Sequence, residues 1–236
     1  MQIQIMYRPS YSLAAVKLDP GETIRTEAGA MVSMSPGMSL ETKAQGGLLA
    51  SLKRSVLGGE SFFVNTYRAP AQGGEITLAP ALPGDMVVHP LQNETLVVQS
   101  GSYVASSEGV NIDTKWGGAK TFFASEGLIM LKASGTGSLL LSSYGAIHEV
   151  NLAAGQSYTV DTGHLVAFTE GMGFKVRRVG GLKSTLFSGE GLVVDLSGPG
   201  QIFMQTRSQD AFLAWLLPKL PTGDSGGGRG FHVKLG

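Results

Sequence analysis

The chain has 236 residues, room for one large domain or two ordinary ones, and its 18 basic and 18 acidic residues cancel. That balance excludes a long-range field drawing the chain to nucleic acid or an anionic bilayer, and the absence of cysteine excludes disulfides, thiolate nucleophiles and cysteine-ligated zinc. Glycine, with 34 copies, has about twice its usual share, and charged residues, at 15%, fall below the usual ~25%, which together point to tight turns between short strands.

The opening "MQIQIMYRP" alternates like a strand and carries no basic leader, apolar stretch or cleavage site, so residues 1–18 are predicted as an N-terminal strand region. A cytoplasmic location is expected. Next come three related stretches, "PGETIRTEAGAMVSMSPGM" (20–38), "PGDMVVHPLQNETLVVQSGSYVASSEGV" (83–110) and "AGQSYTVDTGHLVAFTEGM" (154–172). Each runs from a turn glycine through two strand-like runs to another glycine. Each is followed by a glycine pair (Gly58 and Gly59, Gly117 and Gly118, Gly180 and Gly181), then by "SFF", "TFF" or "TLF", and closes on "GGEITL", "GTGSLLL" or "GPGQIFM". Gly21, Gly84 and Gly155 anchor a period of roughly 65 residues. The reading is all-β: three tandem β repeats over 19–82, 83–152 and 153–207, cut by turn residues, with one or two short helices.

In the first helical stretch, inside "GGLLASLKRSVLGGESFF" (46–63), Leu48, Leu49, Leu52 and Val56 share a face about 100° wide, leaving the cations Lys53 and Arg54 outside it. The second spans 208–221, where Ser208 can cap "QDAFLAWLL" and Pro218 ends it. Its "AFLAWLL" is too short for the ~18 apolar residues of a membrane span, yet it is apolar on every side and needs covering by a subunit interface, partner or membrane. Residues 222–236 read as a flexible tail.

The triple repeat, the "GGLLASLKRSVLGGESFF" segment and the closing "FLAWLLPKLP" resemble the bacterial relatives of the "altered inheritance of mitochondria", or mitochondrial biogenesis, proteins. The likeness extends over nearly the whole chain except the tail. It implies three β-sandwich units, short and double-stranded-β-helix-like, each similar to the subunit of the tryptophan-responsive RNA-binding attenuation protein. It further implies a homotrimer closing a ring of nine units, and a link to membrane organisation known from the fungal members. The resemblance supplies no catalytic residue, and no repeated Lys/Arg cluster of the RNA-holding kind occurs, so no nucleic-acid partner is expected.

Chemical motifs are sparse. No "GK" dipeptide supports a P-loop, and "GGAKT" and "GGLKS" read as recurring turns. His89, His148, His164 and His232 lack zinc spacing, and Ser61 in "GES" lacks a nucleophile elbow. Glu126 and Glu190 recur in "SEGL" and "GEGL", where turn stabilisation is simpler than acid/base work, and Phe62, Phe63, Phe122, Phe123 and Phe187 read as core. The expected function is a non-enzymatic oligomeric scaffold or binding platform with no catalytic, metal or cofactor residues. Lys53, Arg54, Phe212 and Trp215 are its candidate partner or membrane contacts. The alternatives are a small-ligand sensor using sites between β units and, behind it, a hydrolase.

Overall fold

Strands form where apolar residues alternate. In "LAAVKL" (13–18) Ala14, Val16 and Leu18 are buried, and in "GEITL" (74–78) Ile76 and Leu78 are, while their neighbours stay at least partly open. The structure, a computed structural model, describes residues 1–41, 64–113, 129–179 and 192–220. These contain seventeen strands and one α-helix, the all-β class expected.

The strands fall into three segments. The first holds β1 (Gln2–Met6), β2 (Leu13–Leu18), β3 (Thr23–Glu27), β4 (Met31–Met34), β5 (Ser39–Glu41), β6 (Val64–Arg68) and β7 (Gly74–Leu78). The second holds β8 (Met86–Gln99), β9 (Tyr103–Ser107), β10 (Val110–Asp113) and β11 (Met130–Ser142). The third holds β12 (Ile147–Leu152), β13 (Ser157–Asp161), β14 (Leu165–Thr169), β15 (Gly173–Arg178), β16 (Leu192–Ser197) and β17 (Gly200–Gln205), followed by α1 (Gln209–Leu216).

One pairing scheme recurs. In the first segment β2 pairs with β7, β3 with β6, β4 with β7 and β5 with β6, all antiparallel. In the third, β12 pairs with β17, β13 with β16, β14 with β17 and β15 with β16. In the second, the long β8 and β11 each do the work of two strands: the first half of β8 pairs with the second half of β11, its second half with the first half of β11, and β9 and β10 flank β11. The segments join through β3 with β9 and β8 with β14. These joins build a ten-stranded sheet, leaving a four-stranded sheet β1-β2-β7-β4 and a three-stranded sheet β13-β16-β15. In the first and third segments the pairing group starts one strand earlier than the repeat read from glycine anchors, because β2 and β12 pair forward with β7 and β17, while β8 starts within the second repeat as read.

Each segment is a two-stranded ribbon that turns back on itself at a corner, where the backbone needs positive φ. Gly21 (φ 71°) and Gly155 (φ 83°) supply it in the first and third segments, and Asn93 (φ 60°) in the second. Gly84 therefore does not match Gly21 and Gly155. It precedes β8 and forms a parallel bridge with Gly145, and a Cβ there would lie 1.6 Å from the Ser143 carbonyl oxygen. Its role is close backbone approach. Gly84→Ala should cost up to about 3 kcal/mol through overpacking, while Gly21→Ala, with open space around its Cβ, should cost about 1 kcal/mol of backbone strain. Urea unfolding midpoints of the two variants would check the order. Gly58, Gly59, Gly117, Gly118, Gly180 and Gly181, and the helix predicted in 46–63, lie outside the described residues.

The core forms three clusters that straddle the joins. Val104 and Leu140 of the second segment pack with Ile24 and Ile76 of the first, and Val97 packs with Phe168 and Val194 of the third. At the first join Tyr103 is fully buried; its hydroxyl lies 2.9 Å from Ser106 Oγ and donates to the Arg25 carbonyl at 3.3 Å. Burial pushes its phenol up to about 12. Tyr103→Phe should cost about 1 kcal/mol. Because the folded value is raised, the contribution of the neutral phenol holds below about pH 10 and falls as pH rises toward 12. Ultraviolet titration of the folded protein should find this tyrosine still protonated at about pH 11, a component missing from the variant.

Candidate functional site

Two strands are exposed where their counterparts are buried. In β4, β9 and β14 the register skips one residue at the same point, leaving Val32, Val104 and Val166 as bulge residues. Val104 and Val166 are 0% exposed, whereas Val32 is 57% exposed. Met31 and Met34, in the positions of buried Tyr103 and Ser106 in β9 and of buried Leu165 and Phe168 in β14, are exposed as well. The difference lies in the neighbour: β9 and β14 have an outer partner, β3 and β8, while β4 ends its sheet.

The complementary case is β13. It occupies the place of β3 and of the second half of β8, yet ends the three-stranded sheet. Its Tyr158 is 40% exposed, while Ile24 and Leu96, in the matching positions, are each 1% exposed. Among the described residues β4 and β13 are thus unpaired edges of different kinds, each bearing the apolar side chains of an internal join.

Where the three segments begin, their backbones run side by side. Ser12 N–H donates to the Gly84 carbonyl at 3.0 Å, Asp85 N–H to Gly145 at 2.8 Å, and Arg207 N–H to Tyr144 at 3.2 Å. Asp85 is buried in this seam. It accepts from Arg8 Nε at 2.8 Å and Nη2 at 2.9 Å, from Ser12 Oγ at 3.1 Å and from Met86 N–H at 2.8 Å. Burial opposes its ionisation, but Arg8 and these donors outweigh burial and hold the carboxyl below the usual carboxylate range. Nothing in the sequence marks this cluster, since 77 residues separate Arg8 from Asp85.

Helix α1 leaves the same seam. Ser208 caps it, with Oγ accepting from Ala211 N–H at 3.4 Å. Phe212 and Trp215 share one side: their rings are 6.1 Å apart, Phe212 also meets Tyr144 edge-on, and Lys219 lies 5.3 Å over Trp215. Phe212, Leu213, Trp215, Leu217 and Leu220 are exposed, so among the described residues the burial that an all-round apolar helix calls for is not supplied. Lys53, Arg54, Ser61, Glu126, Glu190 and His232 lie outside the described residues. His89 lies 3.2 Å from Glu94, His164 Nδ1 is 2.7 Å from the Gln205 carbonyl, and His148 stands exposed on β12; the structure brings none of these together. Among the described residues no three His, Asp or Glu side chains cluster to hold a metal, and no helix is long and apolar enough to cross a membrane.

Comparison with known proteins adds the family. Residues 3–207 match Mitochondrial biogenesis AIM24. The chain belongs to that family. One relative, an uncharacterized protein from Streptococcus pyogenes serotype M6, is 27% identical over 230 residues, covering 94% of this chain and 92% of its own. The X-ray crystal structure of a Streptococcus pyogenes protein superposes with a TM-score of 0.75 at 26% identity, covering 93% of this chain and 99% of the other. The AIM24 match thus includes both open edges and the seam, and ends at Arg207, before α1.

Proposed function

We propose that this chain is a non-enzymatic structural protein: three tandem β units, similar to the attenuation-protein subunit, that close with other copies into a ring serving as a binding platform. The observation carrying this reading is the contrast among Val32, Val104 and Val166: one bulge position in one recurring scheme, buried twice and exposed once. An exposed, apolar strand edge is a template for association, and natural proteins remove such edges by closure. Two buried ionisable groups among the described residues, Asp85 and Tyr103, are taken up by structural hydrogen bonds, which favours architecture over chemistry. Three chains per ring is the number the family resemblance implies. α1, with Phe212 and Trp215 outward, is the contact for a protein partner or membrane surface.

Native mass spectrometry of the intact protein tests this. The expected result is a discrete assembly with the mass of three chains. A monomer at micromolar concentration would sink the reading, and a retained small mass on each assembly would turn it toward the sensor.

A further inference from the structure

We propose that the two open edges are partners: β13 of one chain pairs antiparallel with β4 of a second copy, in a register fixed by the joins already inside the chain. The inference rests on the oligomeric reading and adds the strands, direction and residue pairs.

The internal joins follow one rule. Ile24, Arg25 and Thr26 of β3 face Ser107, Ser106 and Ala105, and Leu96, Val97 and Val98 of β8 face Thr169, Phe168 and Ala167. The bulge residues align β4 with β9 and β14, so Ser33 stands with Ala105 and Ala167, Met34 with Ser106 and Phe168, and Ser35 with Ser107 and Thr169. Pairing with β16, β11 and β6 aligns β13 with the other side of the join, so Tyr158, Thr159 and Val160 stand with Leu96, Val97 and Val98. Applied once more, the rule sets Tyr158 opposite Ser35 of the partner subunit, Thr159 opposite Met34 of the partner subunit and Val160 opposite Ser33 of the partner subunit.

The sheets that result argue for a second copy as occupant. Inside the chain the ten-stranded sheet consists of two six-stranded rows sharing β8 and β11: β8-β11-β9-β3-β6-β5 and β12-β17-β14-β8-β11-β10. The four-stranded and three-stranded sheets are the two halves of a third such row. Joined edge to edge they give β2-β7-β4-β13-β16-β15, with β1 added outside β2. Among the described residues the other sheet edges, β1, the first half of β8, β5, β10, β12 and β15, take no part in either internal join, so the rule does not call on them in the assembly. Because β4 and β13 are different surfaces, the contact is head-to-tail and ends only by closing a ring.

The chain lacks cysteine, so a pair introduced across this join is the sole thiol pair. Mild oxidation of Met34→Cys/Thr159→Cys, and independently of Ser33→Cys/Val160→Cys, should give chains linked between copies on a denaturing gel. Each single variant, and the off-register pair Val32→Cys/Ser157→Cys, should give at most traces. If native mass spectrometry finds the assembly intact but neither in-register pair links, or the off-register pair links better, the strand assignment falls and the oligomeric reading stands. If the unmodified protein is monomeric, both fall.

Discussion

Val32→Asp should turn the proposed assembly into folded monomers. In the single chain this side chain projects into solvent, so the carboxylate costs the fold little. At a join it would enter the apolar surroundings that Val104 and Val166 occupy, where an unpaired charge costs several kcal/mol. A loss of about 3 kcal/mol or more weakens association by at least about two orders of magnitude. Val104→Asp and Val166→Asp place the same charge inside the chain and should unfold it. Sedimentation velocity with circular dichroism separates the cases: a smaller but folded particle for Val32→Asp, lost ellipticity for the other two. An unchanged sedimentation coefficient for Val32→Asp would leave β4 outside the interface.

The second large effect is expected at Asp85. Asp85→Ala removes four hydrogen bonds and leaves the Arg8 guanidinium, the Ser12 hydroxyl and the Met86 N–H at the seam without their acceptor, a loss of about 3–5 kcal/mol for breaking a buried pair. Arg8 is half exposed, so water recovers part of this and the lower figure is the better guide. Arg8→Ala combined with Asp85→Ala should cost less than the two single changes added together. The pH dependence has a definite sign. The carboxyl is held below its unfolded value of about 3.9, so its contribution is complete above that pH and disappears as pH falls through the lower folded value. Urea unfolding of wild type and Asp85→Ala from pH 7 to pH 2 should converge at the acid end. Parallel curves would assign the loss to packing instead.

The strands were legible where apolar alternation and turn glycines coincide, as in β2 and β7, and Ser208 marked the start of α1. The corners were less so. "PGET" and "PGDM" look alike, but Gly21 is a corner and Gly84 a crossing point; the second corner is Asn93, whose side chain tolerates the left-handed region without the signature of a glycine. The open edges could not be read locally at all. "MVSM" and "YVAS" both open on a large side chain followed by Val, and it is the neighbouring strand, supplied by sequence some eighty residues away for β9 and absent among the described residues for β4, that separates buried from exposed. The Arg8–Asp85 pair is hidden for the same reason: it depends on where two distant loops meet.

The two joins already inside the chain carry a consequence for dilution. Their strands are tethered by peptide bonds, so they meet at an effective concentration of order millimolar whatever the cellular supply of protein. Only the contact between separate molecules follows mass action. In the proposed ring, falling protein concentration would therefore act at a single type of seam, releasing chains whose ten-stranded sheet is whole and whose uncovered β4 and β13 can re-enter the ring without refolding.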